Sequence, residues 1–136
     1  MSVGPEGAGV ALVIVSHSAK LAEGVVELAA QMARDVELRA AGGTDDGRIG
    51  TSFDKVNDAV AELRAAGHDV VILTDLGSAT MTVESVLDFF DEDELEHVKF
   101  SDGPLVEGAV AAAVTAQVGG DLDAVVVAGR ARELFS

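Results

Sequence analysis

His17 lies between two serines at the end of the run Val13-Ile14-Val15-Ser16-His17-Ser18, and Asp75 opens the run Asp75-Leu76-Gly77-Ser78-Ala79-Thr80. These are residue types that can move a charged group. A neutral imidazole is a nucleophile at physiological pH. A carboxylate bonded to one ring nitrogen fixes the tautomer and leaves the other nitrogen free to attack. Small residues such as Gly77 let backbone amides approach the oxygens of an incoming anion. The chemistry this pairing suits is phosphoryl transfer, with His17 as acceptor and donor and Asp75 orienting it. Ser18, Gly77, Ser78 and Ala79 are the candidate phosphate contacts. Gly43, Thr44 and Arg48, in the glycine-rich run Gly42 to Thr51, are the candidate rim.

Spacing alone leaves plainer readings open. A strand-end histidine can simply cap a helix, Asp75 can be only a helix-start charge, and Ser78 or Thr80 only a cap. His68 follows Gly67 at a helix end and His97 stands in an acidic stretch, so both read as surface residues. Asp45, Asp46 and Arg48 read by default as a solvated loop. The glycine-rich run faintly echoes a Walker loop, but Arg48-Ile49 stands where Lys-Ser/Thr is required, and two aspartates would repel a triphosphate.

The elements that would position these residues follow from periodicity. Val10–Val15 is a continuous apolar, β-branched run and reads as a buried strand. Leu21, Val25, Leu28 and Met32 recur at helical spacing after Ser18, a fitting N-cap. A short strand near Val36–Arg39, the glycine-rich loop and a helix carrying Val56, Val60 and Leu63 come next. Val70–Leu73 reads as a second buried strand, and Val83, Val86, Leu87 and Phe90 as a third helix. Asp91–Glu96 reads as a solvated connection and Val98–Phe100 as a short strand. Pro104 suits the first position of a helix reaching about Val118. Ala124–Ala128 reads as a last strand, followed by a short helical tail.

That order predicts an α/β fold: an open, doubly wound, mostly parallel sheet flanked by helices. It predicts one domain over residues 10–136 after a flexible leader, residues 1–9. In such sheets chemistry collects beyond the carboxyl ends of the strands, where strand order reverses. With the first and third strands as central neighbours, His17 and Asp75 would meet there, each beside a helix N-terminus that attracts anions.

Composition narrows the field. The 9 basic residues against 24 acidic ones give −15, which disfavours nucleic acid. No cysteine is present, so thiolate catalysis and cysteine-held metal are excluded. No apolar run approaches the roughly 18 residues of a membrane span, and the N-terminus carries no signal-peptide pattern; a cytoplasmic location with no membrane contact is expected. A response-regulator receiver would need an acidic pair where Ser16-His17-Ser18 stands, and a lysine where Ala128-Gly129-Arg130 stands. A flavodoxin would need a hydroxyl-rich phosphate loop and aromatic stacking, and Trp and Tyr are absent.

Four runs taken together resemble the mannose-type IIA family, and within it the phosphoryl-donor subunits of phosphotransferase-system dihydroxyacetone kinases. They are Val13 to Ser18 with Leu21-Ala22-Glu23-Gly24; Gly42 to Ser52; Leu76-Gly77-Ser78-Ala79; and Gly103-Pro104-Leu105-Val106-Glu107-Gly108. The resemblance covers about Val10 to Val127, and the glycine-rich run is what sets it apart from sugar-transport IIA domains. It implies that Nε2 of His17 carries the phosphoryl group while Asp75 holds Nδ1. It implies the phosphocarrier HPr as donor, a separate protein here, and ADP on the nucleotide-binding kinase subunit as acceptor. A further, dihydroxyacetone-binding kinase subunit would hold the sugar. It also implies a homodimer, which a short last strand and apolar helix faces would suit, and neither cofactor nor metal. The alternatives are a IIA component of a sugar-uptake system and a regulatory domain, the latter disfavoured because no DNA-binding or ATPase segment is attached.

Overall fold

The structure, a computed structural model, describes residues 8–132; most of the leader and the tail from residue 133 lie outside them. The elements are β1 Val10–Ser16, α1 Ala19–Met32, β2 Leu38–Gly42, α2 Phe53–Ala65, β3 Asp69–Thr74, α3 Gly77–Leu87, α4 Glu92–Leu95, β4 Val98–Phe100, α5 Leu105–Gln117 and α6 Leu122–Gly129. The four strands form one sheet in the order β2-β1-β3-β4, and every pairing is parallel. All residues of β1 are buried, as a central strand covered on both faces requires.

Alternation along the strands divides the core in two. Leu12 and Ile14 of β1 with Val71 and Leu73 of β3 pack under α1, α5 and α6. Ala11, Val13 and Val15 with Val70 and Ile72 pack under α2 and α3. Reversal of strand order between β1 and β3 leaves both their carboxyl ends open at one edge. The register puts Val15 beside Thr74, so the next residues of each strand face one another across the opening.

Three sequence expectations need correction. Ala124–Ala128 is not a strand but part of α6. Its five apolar residues carry no period that separates strand from helix, and the local chemistry decides: Asp121 caps the helix, accepting the Ala124 N–H at 2.9 Å. Val125 is then fully buried against the sheet, and the Ser101 hydroxyl donates to the Val126 carbonyl at 2.7 Å. The second strand lies at Leu38–Gly42 rather than near Val36–Arg39, because pairing with Leu12–Ser16 of β1, not local propensity, selects its register. Its Ala40-Ala41-Gly42 end is small for a reason: a Cβ at Gly42 would stand 2.5 Å from the Ser18 carbonyl and 2.8 Å from the Ala22 side chain. Pro104 is the N-cap of α5, one residue before its first turn. Within the acidic stretch, Asp91 caps the single turn α4, which buries nothing.

Helix α6 approaches α5 across glycine. A Cβ on Gly108 would lie 2.3 Å from the Gly129 carbonyl oxygen and 2.9 Å from Leu73 Cδ2. Backbone yields little, so Gly108→Ala should cost about 1–3 kcal/mol. A urea unfolding series would show it as a lowered midpoint; an unchanged midpoint would mean α6 sits more loosely than described.

Candidate active site

His17 leaves the sheet as the first residue after β1, and Asp75 as the first after β3. Four donors converge on the Asp75 carboxylate. Oδ2 accepts from the Ser16 hydroxyl at 2.8 Å and the His17 backbone N–H at 3.0 Å. Oδ1 pairs with Nδ1 of the His17 ring at 2.9 Å and accepts the Leu76 N–H at 2.8 Å. Partial burial opposes charge on Asp75, but the backbone and ring N–H groups of His17 and the Ser16 hydroxyl outweigh it and hold the carboxyl below its ordinary value. The group is therefore an ionised acceptor at neutral pH. That assigns the proton of the neutral ring to Nδ1 and leaves the Nε2 lone pair outward. The Ser78 hydroxyl donates to Nε2, and the His17 side chain keeps 18% of its exposure.

The other expected residues divide. Gly77 and Ser78 open α3, which has no side-chain cap, so its first amides are left free of side-chain acceptors. Space beside Gly77 is open. Ala79 is fully buried, and its N–H bonds the Leu76 carbonyl at 2.9 Å. Ser18 is occupied in capping α1, accepting from Leu21 N–H while its own N–H donates to Ser16 Oγ.

The glycine-rich loop is stitched to the site by its backbone. Gly43 N–H donates to the Ser16 carbonyl at 3.1 Å, and Gly50 N–H to the His17 carbonyl at 2.8 Å. The Thr51 and Thr82 hydroxyls meet at 2.7 Å and tie the loop to α3. Thr44 braces the loop from within, its hydroxyl accepting the Arg48 N–H. The Arg48 side chain, 81% exposed, pairs with Asp46 at 2.9 Å rather than with the histidine. His68 and His97 are elsewhere: His68 Nδ1 lies 3.2 Å from the Gly9 carbonyl, and His97 Nδ1 pairs with Asp69 at 2.7 Å, at the opposite end of β3.

Sequence reading missed Ser16, the fully buried hydroxyl between Asp75 and the turn that carries His17. A hydroxyl residue closing an apolar strand just before a candidate nucleophile was the available signal.

A family model described as the PTS system fructose IIA component matches residues 11–126. The chain belongs to this family of phosphotransferase-system IIA components. Its relatives make the likeness narrower. A Listeria innocua protein named PEP-dependent dihydroxyacetone kinase 2, phosphoryl donor subunit DhaM, is 38% identical over 117 residues, covering 85% of this chain and 93% of the relative. The DhaM subunit of Escherichia coli K12 is 41% identical over 119 residues; there the match takes 85% of this chain but 25% of the longer relative. Among solved structures, a protein of unknown function superposes with a TM-score of 0.83 at 33% identity, covering 90% of this chain and 94% of that one.

Proposed function

We propose that this chain is a phosphoryl carrier, the phosphoryl-donor subunit of a phosphoenolpyruvate-dependent dihydroxyacetone kinase, with His17 as the residue that is charged and discharged. The observation that carries the reading is the Asp75–His17 pair at the reversal of strand order, with Nε2 meeting the Ser78 hydroxyl at the uncapped start of α3. The names of the relatives favour dihydroxyacetone kinase over a sugar-uptake component.

The Nε2 lone pair attacks phosphorus as the bond to the donor's nitrogen breaks, and that bond's electron pair returns to the donor. The ring becomes cationic, and ionised Asp75 stabilises it through Nδ1–H. The Ser78 hydroxyl, released from Nε2, turns to a phosphoryl oxygen, and the Gly77 and Ser78 amides take others. Phosphoryl transfer asks little covalent chemistry of a protein beyond such placement and charge stabilisation. Discharge reverses the step toward ADP on the nucleotide-binding subunit. The loop of Gly43, Thr44 and Arg48 forms the rim that meets a partner, and the donor is HPr. No helix among the described residues is long and apolar enough to cross a membrane.

The chain acts as a homodimer in this reading. With Ala124–Ala128 helical, support comes from the helix faces alone, where Val106, Val114 and Val127 remain exposed along α5 and α6.

The test is a coupled assay of dihydroxyacetone phosphate formation, omitting one component at a time. Product should require phosphoenolpyruvate, enzyme I, HPr, this chain and both kinase subunits together. Product formed without the kinase subunits, or undiminished without this chain, would overturn the carrier reading.

A further inference from the structure

We infer that Ser16 is a positioning residue for phosphoryl transfer: its buried hydroxyl fixes the Asp75 carboxylate so that the Nδ1 proton stays on the His17 ring throughout charging and discharge. The inference rests on the carrier reading of His17. Ser16 ends β1 with no exposure. Its hydroxyl spans the site, donating to Asp75 Oδ2 at 2.8 Å and accepting the Ser18 N–H at 3.0 Å. One group thus holds both the carboxylate opposite His17 and the turn that follows it. With Oδ2 engaged by Ser16 and by the His17 N–H, Oδ1 is the oxygen left to face the ring.

The position of the Nδ1 proton matters for discharge. While Nε2 is bonded to phosphorus, a ring that keeps its Nδ1 proton is cationic. Breaking the N–P bond then returns the electron pair to Nε2 and regenerates a neutral imidazole. Were Asp75 to take that proton, the ring would be neutral before cleavage and would leave as an anion. A carboxylate that already accepts hydrogen bonds is the weaker base, so the Ser16 hydroxyl keeps the proton where discharge needs it. The proton begins and ends on Nδ1, and no further reactant enters.

Three variants test this: Ser16→Ala, Ser16→Thr and Ser16→Cys. In unphosphorylated protein the orientation of the carboxylate is what is read. Nitrogen NMR of the His17 ring should show the Nδ1–H tautomer in the native chain and in Ser16→Thr. It should show a mixture of tautomers in Ser16→Ala, where Oδ2 has lost its hydroxyl donor and Oδ1 is no longer held against the ring. Discharge from phosphorylated His17 should slow about tenfold in Ser16→Ala, in line with losing one hydrogen bond to a charged group. Ser16→Thr should discharge at the native rate, and Ser16→Cys, a weaker donor, should fall between. Native tautomer and rate in Ser16→Ala, or a Ser16→Thr as slow as Ser16→Ala, would overturn the inference. If Ser16→Ala does not fold, the contrast between Ser16→Thr and Ser16→Cys decides the matter alone. Absence of label on native His17 would overturn the carrier reading instead, while the tautomer comparison would still decide whether Ser16 governs Asp75.

Discussion

His17→Ala should fold normally and take no phosphoryl group. The substitution removes a partly exposed ring at a turn, and the fold loses little by it: Ser16, Leu76 and the backbone amide at position 17 still bond Asp75. Labelling from phosphoenolpyruvate through enzyme I and HPr should fall to background, and dihydroxyacetone phosphate formation should stop with it. Neither remaining histidine is placed to substitute. His97 is paired with a carboxylate, Asp69, yet it follows the C-terminal end of α4, among Glu92, Glu94 and Glu96. A helix C-terminus and a cluster of acids both repel a phosphoryl dianion. Mass spectrometry under alkaline conditions, where phosphohistidine survives, would locate the label. Label on His97 or His68 would move the site to the other end of the sheet.

Asp75→Ala should fold, with some loss of stability, and transfer phosphoryl groups about 10²–10⁴-fold more slowly. Without the carboxylate the ring is free to carry its proton on Nε2, the nitrogen that has to attack. Replacing the orienting carboxylate of a catalytic triad by an amide costs about 10⁴ through the same tautomer error. Asp75→Asn is accordingly the sharper control, since it keeps the shape and gives up only one of the two oxygens that accept the His17 and Leu76 N–H groups. The stability effect has a defined pH sign. The folded-state value of Asp75 is depressed, so its contribution is present above the ordinary carboxyl range near pH 4 and lost as pH falls below it. Asp75→Ala should therefore unfold more easily at neutral pH and differ less from the native chain at pH 2–3. Native transfer rates in Asp75→Ala would reduce Asp75 to a helix-start charge.

Much of this site was legible because buried parallel strands announce themselves. Val10–Val15 and Val70–Leu73 have no polar residue to break them, and each ends on a polar run. Their neighbours in sequence are thereby placed at the carboxyl edge, where His17 and Asp75 meet. Ser18 read as the cap of α1, and it caps α1. What stayed hidden depends on distant contacts. Ala40-Ala41-Gly42 is a poor strand by propensity and is one because β1 lies beside it. Ala124–Ala128 is apolar on every side, so its helical state is set by Asp121 and by glycine contacts with α5 that no local window contains. The position of Arg48 in the glycine-rich loop is visible in the sequence, whereas its pairing with Asp46 depends on the fold of that loop and leaves no mark in the spacing.

The His17–Asp75 contact joins residues 58 apart in sequence across the two central strands, immediately beyond the rung in which Asp75 N–H donates to the Val15 carbonyl. Fraying begins at the periphery of a sheet, here β2 and the three-residue β4, and the free energy needed to open a region rises toward its core. The pair sits at the far end of that scale. Amides of β1 and β3 should exchange with solvent only when the whole molecule opens, and the contact should break with them. Heat or denaturant that loosens the edges leaves the carrier intact, so the population able to hold a phosphoryl group falls with global unfolding, in one step.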